Sequence, residues 1–137
     1  MPDEQVTPDD VVTLRFPAAT ERVRLARTLV ATLADEAGFD FDQVEDLRIA
    51  VDELCFVLID QCGSVGRIEV TGSGGLGGIR VEGRCVDGNS PSGDLGDLAE
   101  ITTQILATVV DDYEVGIVEG VPSFRFSKTD PVAKPVP

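Results

Sequence analysis

At 137 residues the chain is one domain's worth, large enough to bury roughly two thirds of its unfolded surface without staples. Its net charge of −14 argues against direct binding of DNA or RNA, which needs a basic stripe to displace counterions. Three cysteines, no histidine and no CxxC exclude a zinc site, and no apolar run nears the roughly 20 residues of a membrane span. With 42% hydrophobic residues and an acidic MPDEQ start unlike a signal peptide, the chain is expected to be a soluble, cytoplasmic globule. The acidity favours a basic protein partner and would steer its approach; its plainer reading is solubility alone.

Residues 1–10 are polar and expected to be flexible. Val11–Phe16 alternates Val12, Leu14 and Phe16 against Thr13 and Arg15, the pattern of a half-buried strand stopped by Pro17. Thr20 is placed to cap a helix whose stripe is Val23, Ala26, Val30, Leu33 and Ala37, ending at Gly38. Arg22, Arg24 and Arg27 decorate its outer side, either as a solvated face or as a contact surface for an acidic or helical partner.

Asp40–Cys62 is the longest clean helix signal. Asp40 and Gln43 have the form of a capping box, and Val44, Leu47, Val51, Leu54, Cys55, Leu58, Ile59 and Cys62 recur at three- and four-residue steps. Asp42, Asp46, Glu53 and Asp60 fall near the opposite side, yet Ile49, Phe56 and Val57 also leave the main stripe. A helix apolar on two faces is usually covered on both, so the back face around Glu53 is expected to meet something. Cys55 and Cys62 are two turns apart, about 10 Å by helix rise and too far for a disulfide. With Cys85 distant in sequence, at least two of the three cysteines read as small buried hydrophobes.

A turn at 63–66 leads into a strand at Arg67–Thr71, then to the glycine-rich run Gly72–Gly78. A phosphate loop lies between a strand and a helix and ends near a lysine; this run joins two strands and has no lysine after it, so a flexible hairpin tip is the better account. Ile79–Val86 is the partner strand, with Ile79, Val81, Gly83 and Cys85 on one side. After a turn-rich loop at 87–96, Asp97 is placed to cap a third helix with Leu98, Ile101, Ile105, Leu106 and Val109 buried. Tyr113–Val118 and Ser123–Ser127 close the domain as a hairpin around Glu119-Gly120. The organisation is a single domain over 11–127 with a flexible proline-rich tail at 128–137. The order of elements predicts a two-layer α/β sandwich: a mixed, mostly antiparallel sheet with three helices on one face.

The segment DLRIAVDELCFVLID, with its helix order and flanking strands, resembles the histidine-kinase-like ATPase fold, and within it the anti-sigma factors of the RsbW and SpoIIAB type of serine-protein kinase. The likeness extends from Val11 to Ser127. The family helix reads A-V-[SD]-E-A-x-x-N, and Ala50, Val51, Asp52 and Glu53 match its first half. The resemblance implies a protein that sequesters a sigma factor, phosphorylates an anti-anti-sigma (STAS) partner and forms a homodimer. It sets Glu53 at the general-base position.

The departures gather at the nucleotide site. Val57 stands where the family has the Asn that helps hold Mg²⁺, and valine offers no oxygen to a hard cation. Cys85 stands where an Asp would read the adenine, and Asp87 and Gly88, the nearest match, are displaced by two positions. The glycine-rich lid is shortened to SGDLGDLAE. The expectation is therefore an anti-sigma factor without a resident cofactor, in which ATP and Mg²⁺ binding is weakened or lost; the sequence leaves Glu53 either active or vestigial, because phosphoryl transfer rests on metal and positioning. An active serine kinase with a remodelled site and a partner-switch adaptor that binds no sigma factor are the alternatives. Val12, Leu14 and Phe16 on an N-terminal edge strand offer apolar surface for a homodimer, or pack on the first helix instead.

Overall fold

The computed structural model describes residues 10–63, 65–75, 78–88 and 98–129. Its elements are β1 (Asp10–Pro17), a 3₁₀ turn (Thr20–Arg22), α1 (Val23–Glu36), α2 (Phe41–Cys62), β2 (Arg67–Gly75), β3 (Gly78–Val86), α3 (Glu100–Val109), β4 (Asp112–Val118) and β5 (Val121–Thr129). The strands lie in the order β1-β2-β3-β5-β4. Every neighbouring pair is antiparallel, so the sheet is not mixed. Alternation sorts the two faces. Ile68, Val70, Val81, Cys85, Phe124 and Phe126 are buried under the helices, while Glu69, Glu82, Arg84 and Arg125 form ion pairs on the open face. The architecture is the two-layer sandwich that the order of elements predicts.

Helix α2 is the spine. The Asp40–Gln43 capping box is present in both directions: the Gln43 N–H donates to Asp40 Oδ1 and the Asp40 N–H to Gln43 Oε1, each at 2.9 Å. Leu47, Ala50, Val51, Leu54, Cys55, Leu58 and Cys62 are completely buried. Val44 and Ile59, at the edges of the stripe, are partly buried.

α1 buries Val23, Ala26, Val30, Leu33 and Ala37 as its spacing predicts. Thr20 does not cap it: the chain enters through the 3₁₀ turn, where the Val23 N–H already donates to the Thr20 carbonyl, so no hydroxyl is needed there. The helix stops at Gly38, whose φ of 91° only glycine adopts freely.

Three further expectations are corrected. The run Gly72–Gly75 belongs to β2 rather than to a loose tip, and the hairpin closes at the Gly75–Gly78 pair. At Gly72 a Cβ would stand 2.5 Å from Leu33 Cδ1, so the missing side chain lets α1 lie close on the sheet. In α3, Ile101 is 67% exposed rather than buried, because this ten-residue helix meets the core through its second half, at Leu106 and Val109; Asp97, its expected cap, lies outside the described residues. In β1, Phe16 is buried and Leu14 partly so, but Val12 is 41% exposed, since exposure rises along this edge strand away from the core.

The last hairpin turns at Glu119 and Gly120, with φ of 52° and 81°, the left-handed pair of a type I′ turn. β5 continues to Thr129, two residues into the stretch expected as tail. Lys128 Nζ donates to the Val109 carbonyl at 2.9 Å and stands 3.8 Å from Asp46 Oδ2, tying that strand to α3 and α2. No described helix is long and apolar enough to cross a membrane.

Candidate functional site

The outward side of α2 carries the polar residues singled out by sequence. Glu53 is half-buried and accepts a hydrogen bond from Thr102 Oγ1 of α3 at 3.3 Å, a contact that holds its carboxylate toward α3. Sequence did not reveal this partner, because nothing local relates residues 53 and 102. Val57, one turn further on, is also half-buried, and Ile49 and Phe56 are 41% and 40% exposed. Between α2 and α3 runs a hollow of about 380 Å³ lined by Ile49, Ile101, Gln104, Ile105, Thr108 and Val109. The second apolar face of α2 is thus half covered by α3 and half open.

Asp52 turns the other way, toward α1. Its Oδ2 accepts from Arg27 Nη1 at 3.3 Å, while Oδ1 is buried without a partner among the described residues. Burial pushes this carboxyl above the usual range; the Arg27 charge pulls it down and the Glu53 charge pushes it further up. Arg27 therefore belongs to a helix–helix contact, while Arg22 and Arg24 remain exposed.

Cys85, Asp87 and Gly88 lie at the C-terminal end of α2. Cys85 does not stand alone: it is disulfide-bonded to Cys62, with Cα atoms 5.7 Å apart, a spacing within the normal range for a bridge. That overturns the reading of these two cysteines as independent small hydrophobes. Cys55 keeps that role, since burial, helped by the nearby Asp52 charge, pushes its thiol up to about 12. The register would have exposed the pair: Ile68 faces Cys85 across β2 and β3, so Cys85 points into the core beside the last turn of α2. Asp87 holds a left-handed φ of 57° and is exposed, and Gly88 packs so tightly that a Cβ would stand 2.6 Å from the Cys62 carbonyl oxygen.

The structure brings Glu53 and Val57 together on successive turns and brings Cys85, Asp87 and Gly88 together at the helix end. It does not merge the two groups. Glu53 and Cys62 are nine residues apart, about 13 Å along the axis. As donors for a nucleotide-bound Mg²⁺ these residues offer one carboxylate, already hydrogen-bonded, and a valine. Among the described residues no three His, Cys, Asp or Glu side chains gather as a metal site. Cys85, engaged in its bridge to Cys62, offers no oxygen donor either.

A second hollow, of about 480 Å³, opens on the far face of the sheet, away from Glu53. Glu69 is its hub, accepting from Arg15 Nη2 at 2.6 Å and Arg84 Nε at 2.9 Å. These hydrogen bonds hold the Glu69 carboxyl below its ordinary range. Alongside, Arg125 donates to Glu114 and Asp112, both at 2.9 Å. The register sets Arg15, Glu69 and Arg84 side by side on three strands, a pattern visible only once pairing is known.

No family model matches the chain. Among curated proteins it is 45% identical over 47 residues to the serine-protein kinase RsbW of Listeria monocytogenes, covering 34% of this chain and 30% of that protein. It is 48% identical over 48 residues to the anti-sigma-F factor RsbW of Mycobacterium tuberculosis, covering 35% and 29%. The serine-protein kinase RsbW of Bacillus velezensis shares 37% over 46 residues, covering 34% and 29%. The chain thus spans about three tenths of the length of these relatives, and that stretch is similar to RsbW-type proteins.

Proposed function

We propose that this chain is an anti-sigma factor that sequesters an RNA polymerase sigma factor through protein–protein contacts. In this reading an anti-anti-sigma partner of STAS type counters it, and ATP binding and kinase activity are weakened or lost. The observation that carries the proposal is the 48% identity over 48 residues to a protein named anti-sigma-F factor. The net charge of −14 supports it, because a strongly acidic surface complements the basic DNA-binding surface of a sigma factor. The weakened nucleotide site is supported by Val57, by the engagement of Cys85 with Cys62, and by a donor set with one carboxylate. A homodimer through β1 is supported by the exposure of Val11 and Val12, 62% and 41%, on an edge strand.

One observation favours a second reading, an active serine-protein kinase: Glu53 is retained and held by Thr102, and relatives carry that enzyme's name. Calorimetry with Mg-ATP separates the two. The anti-sigma reading without kinase activity expects no heat of binding at sub-millimolar nucleotide; saturable binding there supports the kinase. Co-purification from a host lysate tests the partner. Recovery of a sigma subunit is expected, whereas recovery of a STAS-type protein alone would sink the sigma-binding claim in favour of a partner-switch adaptor.

A further inference from the structure

The pair Cys62–Cys85 has no part in holding a sigma factor in the reading above, and three observations bear on its own chemistry. First, a backbone carbonyl stands next to each sulfur. In the bridged structure the Cα atoms are 5.7 Å apart, and Cys62 Sγ lies 3.4 Å from the Arg67 carbonyl oxygen and Cys85 Sγ 3.5 Å from that of Leu58, so each sulfur has an acceptor beside it for the S–H it would carry once the bond opens. Second, the sulfurs differ in access. Cys62 is completely buried and Cys85 is 7% exposed, so reagents reach Cys85 first. Third, three segments close on this point. A Cβ at Gly66 would stand 2.9 Å from the Cys62 carbonyl oxygen and 3.0 Å from Gly88 Cα, and one at Gly88 would stand 2.6 Å from the same oxygen. The end of α2, the turn after it and the exit from β3 are therefore packed backbone to backbone, and a bond between Cys62 and Cys85 fastens the outer two.

We propose that Cys62 and Cys85 form a reversible oxidation site, which a hydroperoxide closes and a cellular thiol reopens, pinning the end of α2 to the Asp87–Gly88 corner. The Cys85 thiolate attacks the hydroperoxide; the O–O bond breaks, hydroxide or alkoxide leaves, and Cys85 becomes a sulfenic acid. The Cys62 thiolate then attacks that sulfur, the S–O bond breaks, and hydroxide leaves to be protonated to water. In sum two thiols lose two electrons and two protons, and one hydroperoxide is reduced. Reopening is thiol–disulfide exchange, in which two glutathione thiols are oxidised to one glutathione disulfide as both protein thiols re-form. Cys55, fully buried with its thiol pushed up to about 12, does not compete.

The full chain with its three cysteines tests this without substitution. It is reduced, or treated with hydrogen peroxide and then with excess glutathione, quenched in acid, denatured, alkylated with N-ethylmaleimide and weighed intact. Reduced protein should take three alkyl groups. Oxidised protein should take one, on Cys55, with the loss of two hydrogens and a peptide linking Cys62 to Cys85; glutathione should restore three. Three alkyl groups after peroxide, a bridge through Cys55 or between molecules, or a bridge that glutathione does not open would overturn the proposal. Hydrogen exchange on the same samples reads the pinning. Amides of Leu58–Cys62 and of Asp87 and Gly88 should exchange about tenfold more slowly in the oxidised form, and equal rates would refute the coupling. None of these readouts depends on a sigma factor, so this site and the proposed function stand or fall separately.

Discussion

Replacing Asp52 with alanine should stabilise the protein at neutral pH, although it removes an ion pair. The pair to Arg27 is 3.3 Å long, with side chains 24% and 37% exposed, and such half-exposed pairs contribute about 0–1 kcal/mol. Against this stands Oδ1, buried with no partner among the described residues, a deficit of about 1–3 kcal/mol. Alanine also gains about 0.5 kcal/mol of helix propensity. Arg27 is exposed enough to hydrate once released. The balance is about 2 kcal/mol in favour of Asp52→Ala, or roughly 6 °C in melting temperature for a chain of this size. The pH dependence carries the sharper signature. Burial raises the folded-state pKa of Asp52 above its unfolded value, so between the two the folded state binds more protons. Parent stability therefore falls as pH rises through that window, and the penalty is complete above the folded pKa. Below the unfolded value, about 3.9, the carboxyl is neutral in both states and most of the variant's advantage should vanish. Urea denaturation of both proteins at pH 7 and near pH 3.5 measures this. A variant less stable than the parent at pH 7, or an advantage that grows on acidification, would refute the reasoning, because the Arg27 pair would then outweigh burial.

Opening the Cys62–Cys85 bridge, which spans 23 residues, restores about 3 kcal/mol of chain entropy to the unfolded state; reduction should lower the melting temperature by about 10 °C in a scan with and without dithiothreitol, and equal midpoints would contradict it. Gly83→Val places a Cβ inside the ring of Phe124 and should cost about 1–3 kcal/mol, whereas Gly116→Ala, with open space around it, should stay within about 0.5 kcal/mol; chemical denaturation of the two variants ranks them. Glu69→Gln should destabilise at neutral pH. Because Arg15 and Arg84 depress the folded pKa of Glu69, its contribution is present above the unfolded pKa and fades as pH falls through the folded one, so parent and variant should converge in acid-denaturation curves.

What was legible in the sequence follows the range of the forces involved. The stripes of α1 and α2, the Asp40–Gln43 box and the Glu119–Gly120 turn are decided within a few residues by helix periodicity and backbone sterics, and they read correctly. The misreadings needed knowledge of a neighbour. Ile101 fits the period of α3 but lies beyond the part of that helix that reaches the core. Gly72 looked like a flexible tip because the Leu33 methyl pressing on it comes from another helix. Glu53 and Val57 could be placed on one side of α2 by spacing, but Thr102 arrives through packing of α3. The bridge of Cys85 is invisible to spacing because it depends on where β3 ends relative to α2.

The middle of α2, around Glu53, and its C-terminal end, at Cys62, differ in kind, and distance keeps them apart. Around Glu53 the carboxylate is turned to Thr102 and flanked by Ile49, Phe56 and Val57, so the exposed surface there is apolar with a polar hydrogen bond inside it. At the Cys62 end the surface is backbone packed on backbone, with sulfur as its reactive element. A separation of about 13 Å along the axis exceeds the screening length of about 8 Å at physiological ionic strength. Changes at sites this far apart and without shared partners add independently. Restoring oxygen ligands near Glu53 would therefore leave the bridge untouched, and reducing the bridge would leave Val57 a valine. A nucleotide spanning both regions would need both changes at once, whereas a protein partner laid over Ile49 and Phe56 needs neither. That asymmetry is the geometric support for the protein-binding role proposed above.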